Sequence, residues 1–127
     1  MSQPAKFSSL ALPQAMIDNL DQMGYKDMTP IQAQALPIVI EGGDVLAKAQ
    51  TGSGKTAAFG IGILARLNQR NFGCQALILC PTRELATQVA DEIRKIARYQ
   101  QNIKILTLCG GQSIGPQIGS LEHGAHI

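Results

Sequence analysis

The feature that most constrains the fold is the run A-Q-T-G-S-G-K-T at residues 49–56. Residues 44–48 before it predict a strand, and the residues from Ala57 to Arg70 after it predict a helix. A glycine-rich loop between a strand and a helix is the setting in which phosphate is bound. Its small residues let backbone amides turn inward, and the helix that begins near Gly54 adds its positive end. The run therefore predicts a binding site for a phosphorylated ligand.

Each residue type in this loop has a chemical reason to be there. Lys55 reaches terminal phosphates as a point charge, and the Thr56 hydroxyl is a ligand for Mg²⁺. Ala49 stands where the general pattern has its first glycine. The alternative interpretation is a chance Gly/Ser loop that caps a helix. The predicted phosphate contacts are Gln50, Thr51, Gly52, Ser53, Gly54, Lys55 and Thr56.

Elsewhere the chain alternates helix and strand patterns. A first helix is predicted at 13–23, and Gly24 ends it. A second helix is predicted from Thr29, with Pro30 at its first position, and Pro37 should end or bend this second helix. Further helices are predicted at 83–98 and 113–122, and strands at 76–80, 103–108 and from 125. Gly60 and Gly62 in the helix after the loop suggest close packing on a sheet. The order predicts an α/β fold with a parallel sheet flanked by helices.

Composition bounds the function only loosely. The 127 residues carry 11 basic and 9 acidic side chains, a net charge of +2, which is too weak to predict nucleic-acid binding from bulk charge. Any such contact must come from local placement. We find no secretion signal and no apolar stretch long enough for a bilayer, so the expected location is the cytoplasm, without membrane contact.

Further motifs accompany the loop in a recognisable order. Gly24-Tyr25 and Thr29-Pro30-Ile31-Gln32 precede it, and P-T-R-E-L-A at 81–86 and Gly110-Gly111 follow it. In that order, and with Ala49 in the loop, the whole chain resembles the DEAD-box RNA helicases. The resemblance implies a P-loop NTPase of RecA-like fold, cut short before the Walker B strand. Residues 1–127 would then be the amino-terminal part of a first RecA-like domain, with Q-motif helices at 1–40 and an incomplete P-loop core at 41–127.

The resemblance also implies roles for the flanking motifs. Gln32 would read adenine, because an amide both donates and accepts, and Tyr25 would stack on the base. The alternatives are a helix-surface glutamine, and a contact that closes the helix after Gly24. Phe7 matches an isolated aromatic of the same motif, although core packing explains it better.

Two later segments are candidate RNA contacts. Residues Pro81, Thr82 and Arg83 offer amides, a hydroxyl and a guanidinium to RNA phosphates. Gly110 and Gly111 would let an RNA backbone approach closely. The alternatives are a plain helix cap for the first segment and a simple turn for the second.

The implied activity is that of an ATP-dependent RNA helicase, which takes ATP and Mg²⁺ and acts on RNA. Residues 75–86 and 106–112 resemble a bacterial subtype that acts in assembly of the large ribosomal subunit, so ribosomal RNA is the expected partner. No Asp-Glu-Ala-Asp run stands in the sequence, so the piece alone is expected to lack ATPase and unwinding activity. An open sheet edge would favour self-association. The competing hypotheses are a nucleotide- or RNA-binding module without catalysis and, without support from any lid signal, a small nucleotide kinase.

Overall fold

The computed structural model describes residues 2–127, and its regular structure is helical. The helices are α1 (Gln14–Gln22), α2 (Pro30–Ile40), α3 (Lys55–Arg66), α4 (Arg83–Ile96) and α5 (Ile114–Glu122). Single 3₁₀ turns lie at Phe7–Ser9 and Ala97–Tyr99. The predicted helices are thus all present, although α3 ends four residues before the predicted Arg70.

The end of α1 shows how sequence sets a boundary. Gly24 adopts φ +83°, a left-handed conformation that favours glycine. Its amide donates to the Asp21 carbonyl at 3.0 Å, and the Tyr25 amide donates to the Leu20 carbonyl at 2.8 Å. This pair of bonds is a Schellman motif, which satisfies the last carbonyls of the helix.

Helix α2 begins as predicted and runs past Pro37. Thr29 is its N-cap and Pro30 its first residue, where proline's missing N–H costs nothing. Pro37 was expected to end or bend the helix, yet the helix continues through it to Ile40. Leu36 and Ala35 are buried in the core, so packing favours continuation despite the lost hydrogen bond.

The core lies between helices, and α3 is its centre. A Cβ atom on Gly62 would lie 2.6 Å from Val39 Cγ2 of α2, and one on Gly60 would lie 3.2 Å from Ile93 Cγ1 of α4. The two glycines therefore allow close packing, as predicted. Their partners in the structure are neighbouring helices rather than a sheet.

The predicted parallel sheet is not seen as such. Residues 43–50, 74–80 and 102–109 have no strand assignment, and within residues 2–127 the only β-bridge is antiparallel, between Lys6 and Asp27. The two leucines of the predicted strand at 76–80 stay in solvent, with Leu77 78% and Leu79 85% exposed. A strand needs a hydrogen-bonded neighbour along its length, and these segments lack one.

One part of a sheet-like arrangement is present at residues 124–127. The His126 carbonyl accepts from the amides of Gln75 and Ala76, at 2.9 and 3.2 Å. On the other side the His126 amide donates to the Lys104 carbonyl at 2.9 Å, and Leu106 donates to the Ile127 carbonyl at 2.9 Å. Residues 125–127 therefore join two of the predicted strands without a regular ladder.

The His126 side chain fixes this junction. It is fully buried, its Nδ1 accepts from the Lys104 amide at 2.9 Å, and its Nε2 lies 2.8 Å from the Gln69 carbonyl. Nε2 must therefore carry the proton and donate it. The ring also packs on Phe72, with centroids 4.5 Å apart. One neutral imidazole thus ties together three parts of the chain.

Candidate functional site

The loop at 49–54 is shaped by one tight turn and two left-handed glycines. Ser53 donates to the Gln50 carbonyl through its amide at 3.2 Å and its hydroxyl at 2.6 Å. Gly52 has φ +83° and Gly54 has φ +90°, and Gly54 is the N-cap of α3. The first amides of α3 have no acceptor within the helix and point toward the loop. This is a built cradle for an anion, and the residues present fit a phosphate group.

Lys55 spans this cradle. Its ammonium donates back to the carbonyl of Ala49, six residues earlier in the chain, and its side chain is half-buried. An ammonium has three donors, so this one bond leaves two for another acceptor. The lysine is held over the loop at the place where a phosphate chain would need positive charge.

Gln32 is buried against the same loop, at 5% exposure. Its Oε1 accepts from the Thr29 amide at 2.9 Å and its Nε2 donates to the Gly54 carbonyl at 3.2 Å. A Cβ atom on Gly54 would crowd the Gln32 amide and lie 3.0 Å from Thr29 Oγ1. Residue 54 is therefore suited to glycine for two reasons: its φ is positive, and the neighbouring side chains leave no room for a Cβ atom. The amide of Gln32 links α2 to the phosphate loop, a role that the sequence did not reveal.

Tyr25 sits in a different environment. Its ring stacks on Phe7, with centroids 6.1 Å apart and planes at 21°, and its hydroxyl donates to Glu92 Oε1 at 3.1 Å. Burial, followed by the charge of Glu92 and this hydrogen bond, raises the pKa of Tyr25. Phe7 is buried in the core, as expected. Glu92 is a residue that sequence reasoning missed, because it lies 67 positions away on α4.

A cavity of about 910 Å³ lies beside the loop. Thr51, Lys55 and Thr56 contribute to one wall, and Leu77 and Leu79 to another. Tyr25 lines this cavity, whereas Gln32 does not. The two candidate adenine contacts therefore face different surroundings in this structure.

The two candidate RNA segments meet at the start of α4. Thr82 is the N-cap and its Oγ1 accepts from the Leu85 amide at 3.2 Å, so the plain-cap role is real. Arg83 Nη1 donates to the Gly110 carbonyl at 3.2 Å. Pro81 precedes the cap and is exposed. The structure thus brings Arg83 against residues 110–111.

Gln117 of α5 also belongs to this region, although the sequence analysis overlooked it. Its Oε1 accepts from the Cys109 amide at 3.0 Å and its Nε2 donates to the Cys109 carbonyl at 3.2 Å. The Gln117 side chain thereby pairs with Cys109 as a neighbouring strand would. It fixes the residue that leads into the Gly110-Gly111 turn.

Residues 2–127 bring together no group of three or more His, Cys, Asp or Glu side chains suited to a metal ion. Of the helices that these residues form, none combines the length and the apolar character that crossing a bilayer requires.

Comparison with known proteins identifies the class. The DEAD/DEAH box helicase family model matches residues 29–127, so this chain belongs to that family. It is 57% identical over 122 residues to the ATP-dependent RNA helicase DbpA of Escherichia coli, covering 95% of this chain and 27% of that protein. It is 41% identical to the ATP-dependent RNA helicase CshA of Listeria monocytogenes, covering 96% of this chain and 23% of that protein.

Solved structures agree with the family assignment. A DEAD box protein from Methanococcus jannaschii superposes with a TM-score of 0.90 at 40% identity, covering 96% of this chain and 33% of that one. The RNA helicase Prp28 from Chaetomium thermophilum, solved with ADP bound, gives a TM-score of 0.81 at 38% identity, covering 99% and 31%. These likenesses are consistent with the predicted P-loop NTPase fold. The chain spans about a quarter of the length of the curated relatives and a third of these structures.

Proposed function

We propose that this chain is the ATP- and RNA-binding amino-terminal part of an ATP-dependent RNA helicase. Residues 1–40 supply the helices that read the base, and residues 41–127 supply the phosphate loop and part of the RNA path. The partner is RNA, as the 57% identity to the ATP-dependent RNA helicase DbpA supports. Ribosomal RNA, and a role in assembly of the large ribosomal subunit, are proposed from the sequence resemblance alone. The site of action is the cytoplasm.

The observation that carries this proposal is the hydrogen-bond state of Gln32. A side-chain amide has two donors and two acceptor sites. Thr29 uses one acceptor site and Gly54 uses one donor, which leaves one of each. The adenine edge offers one donor, the N6 amino group, and one acceptor, N7. The unused pair on Gln32 is therefore complementary to adenine while the amide still holds the loop.

The phosphate end of the ligand is assigned to the loop. The amides of residues 51–56 and the ammonium of Lys55 surround the phosphate oxygens, and the Thr56 hydroxyl is the proposed ligand for Mg²⁺. When bound, Mg²⁺ neutralises charge on the phosphates. Tyr25 is proposed as the contact to the face of the base. Its ring would then contact the base while it still stacks on Phe7 and its hydroxyl still donates to Glu92. Pro81, Thr82, Arg83, Gly110 and Gly111 are proposed to follow the RNA backbone.

For residues 1–127 alone we propose binding without turnover. The sequence has no Asp-Glu-Ala-Asp run, whose carboxylates would hold the metal and position water. Helicase activity is accordingly proposed for a longer polypeptide that contains these residues.

Replacement of Gln32 by alanine tests the proposal. We expect ATP to bind about tenfold or more weakly, since about 1 kcal/mol is lost for each of two or more hydrogen bonds. Loop disturbance affects ATP and GTP alike, so the ratio of their affinities isolates base reading. We expect Gln32→Ala to bring that ratio close to one in calorimetric titrations. Gln34→Ala, on the exposed side of the same helix, is the control and should retain the ratio.

The competing function, a binding module that ignores the base, gives a different outcome. In that case the unmodified protein binds ATP and GTP equally, and Gln32→Ala leaves their ratio unchanged. That result would contradict adenine recognition while preserving the phosphate site.

Self-association is a second expected property of the 127-residue chain. Leu46, Leu77 and Leu79 are exposed on segments whose backbone groups lack a complete set of partners. We expect sedimentation to show concentration-dependent dimers or larger species. Leu79→Lys should shift the chain toward monomer, whereas Gln101→Lys, which adds the same charge elsewhere on the surface, should not. A monomer at all concentrations would contradict the prediction.

A further inference from the structure

A side-chain hydrogen bond joins the two candidate RNA segments, residues 81–83 and residues 110–111. Arg83 begins α4, and its Nη1 donates to the carbonyl of Gly110, 27 residues later. Both groups are exposed. The bond therefore does not serve the core; it connects two surface segments that are remote in sequence.

Gly111 lies against the Arg83 guanidinium. It adopts φ +77°, and a Cβ atom placed on it would overlap Arg83 Nη1 and lie 3.2 Å from the central guanidinium carbon. A Cβ atom placed on Gly110 would have no neighbouring atom within 4 Å. The two adjacent glycines thus differ: the guanidinium of Arg83 occupies the space that a side chain at 111 would need.

The turn is anchored independently on its other side. Gln117 holds Cys109 through both its backbone groups, at 3.0 and 3.2 Å. Loss of the Arg83 contact should therefore free residues 110–111 and leave Cys109 in place. Cys109 serves as an internal reference for any measurement on the turn.

We propose that Arg83 is a positioning residue that clasps the Gly110-Gly111 turn to the start of α4. Gly111 suits this contact because its positive φ favours glycine and because the absence of a Cβ atom leaves room for the guanidinium. The role of Arg83 is to hold the two segments at a fixed separation, so that both can contact one RNA strand. The contacts to phosphate are then made by the backbone amides of the two segments. This inference rests on the proposed RNA binding, but the clasp itself is testable without RNA.

The first test uses RNA-free protein, in the longest polypeptide that carries this sequence. We expect Arg83→Ala to lower the ¹⁵N order parameters of the Gly110 and Gly111 amides and to leave that of Cys109 unchanged. Arg98→Ala removes the same charge from an exposed arginine and should change none of them. Unchanged mobility of the two glycines in Arg83→Ala would overturn the clasp.

The second test is a double-mutant cycle read by binding of a fluorescent single-stranded RNA. Arg83→Ala and Gly111→Ala should each weaken binding by about three- to tenfold. Gly111→Ala should cost less in the Arg83→Ala background, because only the cost of its positive φ remains there. Gly119→Ala, where a Cβ atom meets nothing within 4 Å, is the matched control and should leave affinity unchanged.

Salt dependence separates positioning from direct contact. A lost phosphate contact lowers the slope of log affinity against log salt by about 0.7 for a single strand. We expect the slope of Arg83→Ala to equal that of the unmodified protein. A slope lowered by that amount, together with additive effects in the cycle, would overturn the inference. Absence of RNA binding by the unmodified protein would instead overturn the proposed function, since the order parameters judge the clasp separately.

Discussion

Lys55→Ala is expected to weaken ATP binding by roughly 30- to 700-fold, or about 2–4 kcal/mol, while AMP binding changes less than about threefold. The reason is the position of the ammonium over the phosphate loop, where it bonds the Ala49 carbonyl and retains two free donors. We propose that those donors face the terminal phosphates of a triphosphate, which AMP lacks. Calorimetric titration with ATP, ADP and AMP measures the difference.

Lys48→Ala is the matched control for that experiment. Lys48 is exposed and stands just before the loop, so its removal deletes the same charge without touching the cradle. It should weaken ATP binding by less than about threefold, as expected for a screened surface charge. Equal losses of ATP and AMP in Lys55→Ala would contradict a phosphate contact and point to a disturbed fold.

His126→Ala is expected to lower the free energy of unfolding by about 3–5 kcal/mol. The substitution removes a fully buried ring that packs on Phe72. It also leaves the Lys104 amide and the Gln69 carbonyl without their side-chain partner. Urea denaturation of the longest polypeptide that carries the sequence, followed by circular dichroism, measures the change.

His123→Ala separates this effect from a general effect of histidine loss. His123 is the exposed C-cap of α5, and among the hydrogen bonds within residues 2–127 its ring contacts only the Gly119 carbonyl of the same helix. Replacement of His123 by alanine should therefore change the free energy of unfolding by less than about 0.5 kcal/mol. Similar midpoints for the two variants would show that the His126 junction does not contribute to stability.

The helices could be predicted because residues at their own ends set their boundaries. Gly24 after α1, Thr29 and Pro30 at the start of α2, and Gly54 before α3 each set a boundary through their own backbone preference. The phosphate loop is local for the same reason. What its residues bind remains a prediction, although their arrangement around Gly54 supports it.

The contacts that arrange the site could not be predicted, because they join distant positions. Tyr25 and Glu92 are 67 residues apart, and His126 and Gln69 are 57 apart. No local pattern marks such pairs. The strands remain a prediction for a related reason: the apolar run at 76–80 is suited to a sheet, yet whether it forms one depends on a neighbour elsewhere in the chain.

The contact between Gly62 and Val39 has a mechanical consequence. Two helices that approach this closely cannot slide past each other without a clash, so α2 and α3 should move as one lever. The amide of Gln32, which we propose reads the base, is on α2, and the proposed phosphate cradle opens α3. Base recognition and triphosphate binding should then form together. A nucleotide that makes only one of these two sets of contacts should bind with a misplaced second set.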